Sequence, residues 1–282
     1  MRLVIFDLDD TLVVEQASAE AAFLETCELA KARYGIDPQT LHSTVRETCR
    51  TFWHRSPARA YCLAIGISSW EGLWARFAGN DENLELLRDW APTYRRNSWY
   101  EALRKHGVDD ETFAVRLAEE FAANRSKRHV VYDDVPAVLK SLKQSYGLGL
   151  LTNGVPDMQR EKIDAAGIGV YFDEIVISGE VGVGKPNPQI YEIILSRFGV
   201  PPNEAVMIGD SLRSDVKGAQ AVGVKAVWLN RLKESRDDTI IPDFEVSNLK
   251  ELKEAFEQSA SPGVEPAVRL TRQRALPSGR RE

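Results

Sequence analysis

The first thirteen residues of the chain, MRLVIFDLDDTLV (residues 1–13), decide how the rest is interpreted. Residues 3–6 are uninterrupted apolar residues with β-branched members, which is typical of a strand buried on both faces of a parallel sheet. Three carboxylates and a hydroxyl follow at once: Asp7, Asp9, Asp10 and Thr11. Buried carboxylates without partners are strongly unfavourable, so this segment needs a cation or strong hydrogen-bond donors. The pattern indicates a metal site at the end of the first strand.

Side chains on an extended segment alternate between its two faces, so Asp7 and Asp9 are expected to leave the strand on the same side. With an ordinary pKa of about 3.9, Asp7 is an anion at neutral pH. It can attack an electrophilic phosphorus if a metal offsets the charge repulsion, and Asp9 can then hold or deliver a proton. For this motif alone, a polar turn with helix-capping Asp and Thr residues is an equally open interpretation.

Composition places the chain among soluble globular proteins. It has 282 residues, of which 43% are hydrophobic and 28% charged, with a net charge of -6 and a pI near 5.5. This charge argues against a nucleic-acid partner. Neither a signal peptide nor a membrane-spanning apolar run is apparent, so we expect a cytoplasmic protein with no membrane partner. Its oligomeric state is left open.

Three cysteines, Cys27, Cys49 and Cys62, lie on helical stretches without metal-ligand spacing. We expect reduced, buried or half-buried thiols.

Residues 15–129 show helical periodicity. An amphipathic helix is marked by the spacing of Phe23, Cys27, Ala30 and Tyr34. We expect Ser18 to cap this helix and Gly35 to end it. Five tryptophans farther along are expected to form mostly the core of an all-helical unit: Trp53, Trp70, Trp74, Trp90 and Trp99.

From about residue 130, short apolar runs alternate with amphipathic helices, which is typical of a parallel α/β sheet. The predicted strands are 149–152, 174–178, 205–209 and 225–229, and the predicted helices are 134–145, 156–166, 188–198, 215–222 and 249–257. The first strand must join this sheet, which makes the helical block an insertion. We therefore predict an α/β fold with a doubly wound parallel sheet, formed by residues 1–14 and 130–258. An all-helical domain at 15–129 and a disordered tail at 259–282 complete it.

Ligands of open α/β sheets bind beyond the carboxyl ends of the strands. Thr152 and Asn153 follow the second strand and can donate to a phosphoryl oxygen, although the same residues make an ordinary turn. Lys185, at the end of a glycine-spaced loop, is a candidate point charge on a phosphate, with a surface lysine as the alternative. If Lys185 is such a point charge, its replacement by Met is expected to lower catalytic efficiency with little effect on stability.

Asp210 follows the strand at 205–209 and is expected at the level of Asp7, where both carboxylates can share one hard cation. Magnesium, with oxygen ligands and retained waters, fits this sparse set. Asp215 is placed either to order the waters of the metal or to begin a helix, where the helix dipole favours a carboxylate.

These four segments resemble, in order, the motifs of the haloacid dehalogenase (HAD) superfamily. The resemblance covers the first strand and residues 130–230. It implies a HAD-like Rossmannoid core with a mobile helical cap at 15–129, Asp7 as nucleophile and Asp9 as general acid and base. It also implies Mg2+ held by the carboxylates of Asp7 and Asp210 and by the backbone carbonyl of Asp9. The phosphate is then held by Thr152, Asn153 and Lys185, and Asp215 orders the waters of the metal.

The resemblance predicts a phosphomonoesterase that forms an aspartyl-phosphate. Residues 8–12, LDDTL, resemble the phosphatase branch that includes N-acylneuraminate-9-phosphatase and phosphoglycolate phosphatase, which implies a small phosphorylated metabolite as substrate. Dehalogenases of the superfamily lack the second Asp, because a leaving halide needs no proton, so Asp9 argues against that rival. A phosphotransferase or phosphomutase stays open. A phospho-receiver signalling domain is disfavoured, because its phosphorylated Asp follows a later strand.

Two arginine pairs of the helical insertion, Arg55 with Arg59 and Arg95 with Arg96, are candidates to meet an anionic substrate. Solvated helix faces are the alternative.

Overall fold

The computed structural model describes residues 1–235, 239–252, 254 and 256, so the tail predicted at 259–282 lies outside the described residues. Its centre is a six-stranded sheet in the order β3-β2-β1-β4-β5-β6, in which every pair is parallel. The strands are β1 (Leu3–Phe6), β2 (Gly147–Thr152), β3 (Glu174–Ile177), β4 (Ala205–Gly209), β5 (Lys225–Leu229) and β6 (Phe244–Val246).

Strand β1 lies in the middle of the sheet, between β2 and β4. Phe6 is in register with Leu150 on one side and with Ile208 on the other. All four residues of β1 are fully buried, as expected for a strand covered on both faces. The residues that follow β1, β2 and β4 therefore meet at one edge, where the strand order reverses and open sheets bind ligands.

The sheet is doubly wound, since each face packs on its own apolar cluster. Val4 and Phe6 belong to one cluster, while Leu3 and Ile5 belong to the other. The covering helices are α6 (Val135–Leu142), α7 (Pro156–Ala166), α8 (Ser178–Val181), α9 (Pro188–Phe198) and α10 (Lys217–Ala221). The predicted fold class is confirmed.

Between β1 and α6 the chain forms five α-helices: α1 (Gln16–Tyr34), α2 (Pro38–Trp53), α3 (Arg59–Ile65), α4 (Glu82–Lys105) and α5 (Glu111–Arg125). They enclose a third apolar cluster in which the Phe23 and Phe121 rings stack with centroids 4.0 Å apart. Trp53, Trp74 and Trp99 are buried in this region, as predicted. We call residues 15–129 the cap, and its apolar cluster also takes in Val155 and Met158 at the start of α7.

The start of α1 differs from the sequence expectation. Helix α1 begins at Gln16, and Ser18 lies buried inside its first turn, so the predicted Ser18 cap is wrong. The carboxylate of Asp10 accepts hydrogen bonds from the backbone N–H groups of Glu15 (2.9 Å) and Gln16 (3.2 Å) and satisfies this helix end. The predicted end at Gly35 is confirmed, because this residue adopts the left-handed conformation with φ 71°.

The helix predicted at 249–257 is confirmed as far as the structure describes this range. A 3-10 turn at Leu249–Glu251 continues as α-helix at residues 252, 254 and 256, while 253, 255 and 257 lie outside the described residues. Strand β6 has no counterpart among the predicted strands, because its three residues, Phe244–Val246, are too few to show alternation. No helix in the described part of the chain has the length and apolarity needed to span a membrane. The three cysteines are buried and free.

Candidate active site

Asp7 comes directly after β1 and is held from both sides. Its backbone N–H extends the ladder to the carbonyl of Ile208, with N and O 3.0 Å apart. Its Oδ1 accepts a hydrogen bond from Lys185 Nζ at 2.5 Å, and its Oδ2 accepts one from Thr11 Oγ1 at 3.3 Å. Only 7% of Asp7 is exposed. A carboxylate in this setting is fixed in direction and partly shielded from water, as a nucleophile requires.

Lys185 is buried and reaches the site from the loop that follows α8. Its Nζ lies 2.5 Å from Asp7 Oδ1 and 2.7 Å from Asp215 Oδ1. Burial alone lowers the pKa of a lysine, but Asp215 and Asp7 raise the pKa of Lys185 above its ordinary value. Lys185 is therefore a permanent cation inside the site, not a surface lysine.

Asn153 clamps the Lys185 loop. Its Oδ1 accepts from the backbone N–H of Lys185 at 2.8 Å, and its Nδ2 donates to the Lys185 carbonyl at 2.9 Å. Because both ends of the amide are engaged with the Lys185 backbone, Asn153 sets the position of this lysine. Its direct contact with phosphate stays a prediction.

Asp210 and Asp215 complete an acidic cluster with Asp7. One carboxylate oxygen from each of the three lies within 4.8 Å of the others. The N–H of Asp210 donates to Thr11 Oγ1 at 3.1 Å, and Asp215 Oδ2 accepts from the N–H of Ser211 at 3.0 Å. Asp7 and Asp215 thus bind the ammonium of Lys185, and the Asp210 carboxylate lies beside them.

The acidic cluster is short of positive charge among the described residues. Burial is the largest cause that raises the pKa of Asp7, with Lys185 opposing it and Asp215 adding to it. Burial, followed by repulsion from Asp7, raises the pKa of Asp210 to about 9. Burial and mutual repulsion therefore oppose ionisation of Asp7 and Asp210.

The end of β4 leaves no space behind Asp215. A Cβ placed on Gly209 would lie 2.2 Å from Asp215 Oδ2, so only glycine allows this carboxylate to approach the strand. Gly209 is therefore part of the reason that Asp215 can reach Lys185.

Asp9 has different partners from Asp7. Its Oδ1 accepts from Lys162 Nζ at 2.9 Å, and its Oδ2 accepts from Gln159 Nε2, also at 2.9 Å. Gln159 Nε2 also lies 2.6 Å from Thr152 Oγ1, which joins the predicted acid and base to the end of β2. Thr152 itself is almost fully buried.

Sequence reasoning missed Gln159 and Lys162. Neither belongs to a motif, and the one available signal was their i, i+3 spacing on the helix predicted after Thr152, which puts them on one helix face. Polar residues on the buried face of a helix need partners, but the sequence did not say which.

The cap docks on the loops that carry Asn153 and Lys185. Gly184 N–H donates to the Ala64 carbonyl at 2.7 Å, and Ser178 Oγ donates to the Ile65 carbonyl at 2.6 Å. A Cβ on Gly66 would lie 2.6 Å from Asn153 Nδ2, so this contact requires glycine. The end of α3 thus lies against the site.

Two of the candidate cap arginines are engaged within the cap. Arg95 donates to the carbonyls of Gly72 and Ala75, and Arg96 pairs with Glu111 at 3.3 Å. For Arg95 and Arg96, these partners favour a structural role over contact with a substrate.

A doubly wound parallel sheet with an acidic cluster at its switch point and a helical insertion after β1 defines a hydrolase of the haloacid dehalogenase type. The family model for "haloacid dehalogenase-like hydrolase" matches residues 1–223, and the chain belongs to this family.

Relatives place the chain on the phosphatase branch, as the sequence indicated. It is 38% identical to a phosphoserine phosphatase of Thermus thermophilus over 89% of this chain and 98% of the relative. It is 29% identical to the N-acylneuraminate-9-phosphatase of Mus musculus over 89% and 92% of the two chains. The magnesium-bound structure of the HAD hydrolase YfnB from Bacillus subtilis shares the fold, with a TM-score of 0.62 at 21% identity over 90% of this chain and 97% of YfnB.

Proposed function

We propose that the protein is a magnesium-dependent phosphomonoesterase that acts on a small phosphorylated metabolite through an aspartyl-phosphate on Asp7. The observation that carries this proposal is the arrangement at the end of β1. The buried carboxylate of Asp7 accepts a hydrogen bond from the buried ammonium of Lys185. It also lies within 4.8 Å of the carboxylates of Asp210 and Asp215. Phosphoryl transfer depends chiefly on such positioning and on charge stabilisation.

The donor set fits a hard divalent cation. Asp7, Asp210 and Asp215 offer oxygen ligands only, and burial with mutual repulsion raises the pKa of Asp7 and Asp210, which a bound cation relieves. Asp7 and Asp210 are the proposed carboxylate ligands, with the backbone carbonyl of Asp9 as the third. When bound, Mg2+ neutralises charge on the phosphoryl group and allows an anionic nucleophile to approach it.

In the first step, an Asp7 carboxylate oxygen forms a bond to phosphorus while the bond from phosphorus to the leaving oxygen breaks. Asp9, in its acid form, gives its proton to that leaving oxygen and releases the alcohol. Lys185, with Thr152 and Asn153, is proposed to hold the phosphoryl oxygens.

In the second step, Asp9 takes a proton from water as the water oxygen bonds to phosphorus. The bond between phosphorus and Asp7 breaks, which returns the Asp7 carboxylate and releases inorganic phosphate. Asp9 is protonated again and ready for the next turnover.

The relatives support a small phosphate ester as the substrate class. Both named curated relatives are phosphatases whose names specify phosphorylated small metabolites, and they align with most of this chain. A dehalogenase is disfavoured, since Asp9 is present and held by two donors, whereas a halide leaves without a proton.

Replacement of Asp7 by Asn tests the proposal, because it preserves shape and removes the nucleophile. We expect phosphatase activity to fall below about 1% of wild type, as is usual for the loss of a nucleophile, with an intact fold. Activity is measured with Mg2+ on para-nitrophenyl phosphate and on a panel of phosphorylated metabolites, and thermal unfolding is measured on the same preparation. Exhaustive chelation of divalent cations is expected to abolish the phosphatase activity of the wild type, and added Mg2+ is expected to restore it. Undiminished turnover by Asp7→Asn would contradict the role of Asp7.

A further inference from the structure

Lys162 is a buried ammonium that binds three carboxylates outside the acidic cluster. Its Nζ lies 2.9 Å from Asp9 Oδ1, 3.3 Å from Glu15 Oε2 and 3.7 Å from Glu71 Oε1. The side chain of Lys162 is only 1% exposed. Burial of a lysine at this depth is unfavourable unless its charge is compensated, so the three carboxylates are required for it to be there.

These carboxylates come from three parts of the chain. Asp9 follows β1 in the core, Glu15 lies just before α1, and Glu71 lies in the cap after α3. Arg125, at the end of α5, also binds Glu15 and stacks on the Trp74 ring at 4.7 Å. The ammonium that contacts Asp9 therefore lies where the core and the cap meet, beside the first residue of the cap.

Gln159 completes the hold on Asp9. Its Nε2 is 2.9 Å from Asp9 Oδ2 and 2.6 Å from Thr152 Oγ1, and the residue is fully buried. The reverse orientation of this amide would put its oxygen against a carboxylate, so the donor orientation is the one that the charges require. Each oxygen of Asp9 thus has its own donor, and both donors project from one face of α7.

Resting on the function proposed above, we infer that Lys162 and Gln159 are positioning residues that fix the Asp9 carboxyl for its acid and base steps. A carboxyl that must deliver a proton to one oxygen and later take a proton from another works only while its direction is fixed. Asp9 lies beyond the end of β1, where its backbone forms an isolated bridge with Val13, and these two donors orient its side chain. Neither residue touches the reacting phosphorus in this role.

The test distinguishes a role of Lys162 in orienting Asp9 from a role in charge balance alone. Lys162→Met alone leaves three carboxylates short of a cation, and any loss of activity is then open to a structural explanation. The double variant Lys162→Met with Glu71→Gln removes one positive and one negative charge together. Glu71→Gln alone and Lys143→Met, at a half-exposed lysine paired with Asp173, are the matched controls.

We expect the double variant to fold but to lose about tenfold to a hundredfold in kcat, part of the contribution of general acid and base catalysis, with KM changed less than about threefold. The loss is expected to be larger on an alkyl phosphate such as glycerol 2-phosphate than on para-nitrophenyl phosphate, whose leaving group needs little protonation. Stopped-flow traces with the nitrophenyl ester should gain a burst of one nitrophenol per enzyme, because the water-attack step still needs a placed base. Lys143→Met should retain kcat within about twofold, and the kcat of Glu71→Gln alone is the baseline against which the double variant is compared.

Recovery of wild-type kcat in the double variant, with no burst and an equal response to both esters, would overturn the inference and leave Lys162 with a charge-balancing role. If the Lys162 variants do not fold, the variant Gln159→Met tests the inference instead, because it removes the second donor to Asp9 without changing the charge. We expect it to show the same preference for the better leaving group, and normal kinetics in it would overturn the inference. Absence of Asp7-dependent turnover in the wild type would instead contradict the proposed function.

Discussion

One buried lysine lies in each half of the site. The two lysines differ in how far positive charge offsets the negative charge of the carboxylates around them. Lys185 binds Asp7 and Asp215, whose carboxylates cluster with that of Asp210, and it is the one cation that pairs with this cluster among the described residues. Lys162 binds three carboxylates, and Arg125 adds a second cation through Glu15. The first cluster is left with a larger excess of negative charge.

This difference bears on which of the two clusters is the candidate for binding an outside cation. In the Lys185 cluster the pKa values of Asp7 and Asp210 are raised, which shows that the ionised forms are poorly supported. In the Lys162 cluster burial also raises the pKa of Glu71, with Lys162 opposing it, and the pKa of Lys162 is raised by its carboxylates as that of Lys185 is. The two clusters therefore differ in the number of cations that pair with them, and the first is the better candidate for binding a further cation.

The largest expected effect comes from Lys185→Met. We expect kcat/KM to fall about 10²- to 10³-fold, as when one donor to a transition-state oxygen is lost. The structure corrects the sequence expectation on stability, because removal of a fully buried ion-pair partner costs about 3–5 kcal/mol. Urea unfolding checks this value, with the exposed Lys217→Met as control. Mg2+ should partly restore the stability, since a dication substitutes for the lost charge.

Arg125→Met should make the Lys162 cluster resemble the Lys185 cluster. We expect a loss of about 3–5 kcal/mol in unfolding free energy, because Glu15 is left buried and short of a cation. Added Glu15→Gln should recover most of the loss, whereas Mg2+ should not. The matched control is Arg128→Met, whose partner Glu25 is half-exposed, with an expected cost below about 1 kcal/mol. Equal losses at Arg125 and Arg128 in urea unfolding would contradict the proposed difference.

The smallest effect concerns pH. Because the pKa of Asp210 is raised to about 9 in the folded protein, the native state keeps a proton that the unfolded chain loses at about pH 4. The stability contribution of this group is therefore complete below about pH 4 and is lost as pH rises toward about 9.

A bound cation replaces that proton, so stabilisation by Mg2+ should be larger at pH 8 than at pH 6. With Mg2+ at about 100 times its Kd, the gain at pH 8 is about 2–3 kcal/mol. Thermal unfolding with and without Mg2+ measures it. Asp210→Asn should abolish both the gain and its pH dependence, and an unchanged response in that variant would remove Asp210 from the cation site.

The sequence by itself determined the sheet and the main chemical groups. The apolar run at residues 3–6 and the strand predicted at 205–209 match β1 and β4, since a run buried on both faces is visible without knowledge of its neighbours. Asp7 and Asp210 were identified from their places after these strands, because parallel strands bring their carboxyl ends to one edge. Local spacing was enough in each case.

Only the tertiary structure decided the partners of these groups. The cap of α1 comes from Asp10, not from Ser18, because the chain turns back over Asp10 after β1. Gln159 and Lys162 bind Asp9 although they follow it by 150 and 153 residues in the chain. A charged residue on the buried face of a helix needs a partner, but which carboxylate it meets depends on how α7 and the cap pack together.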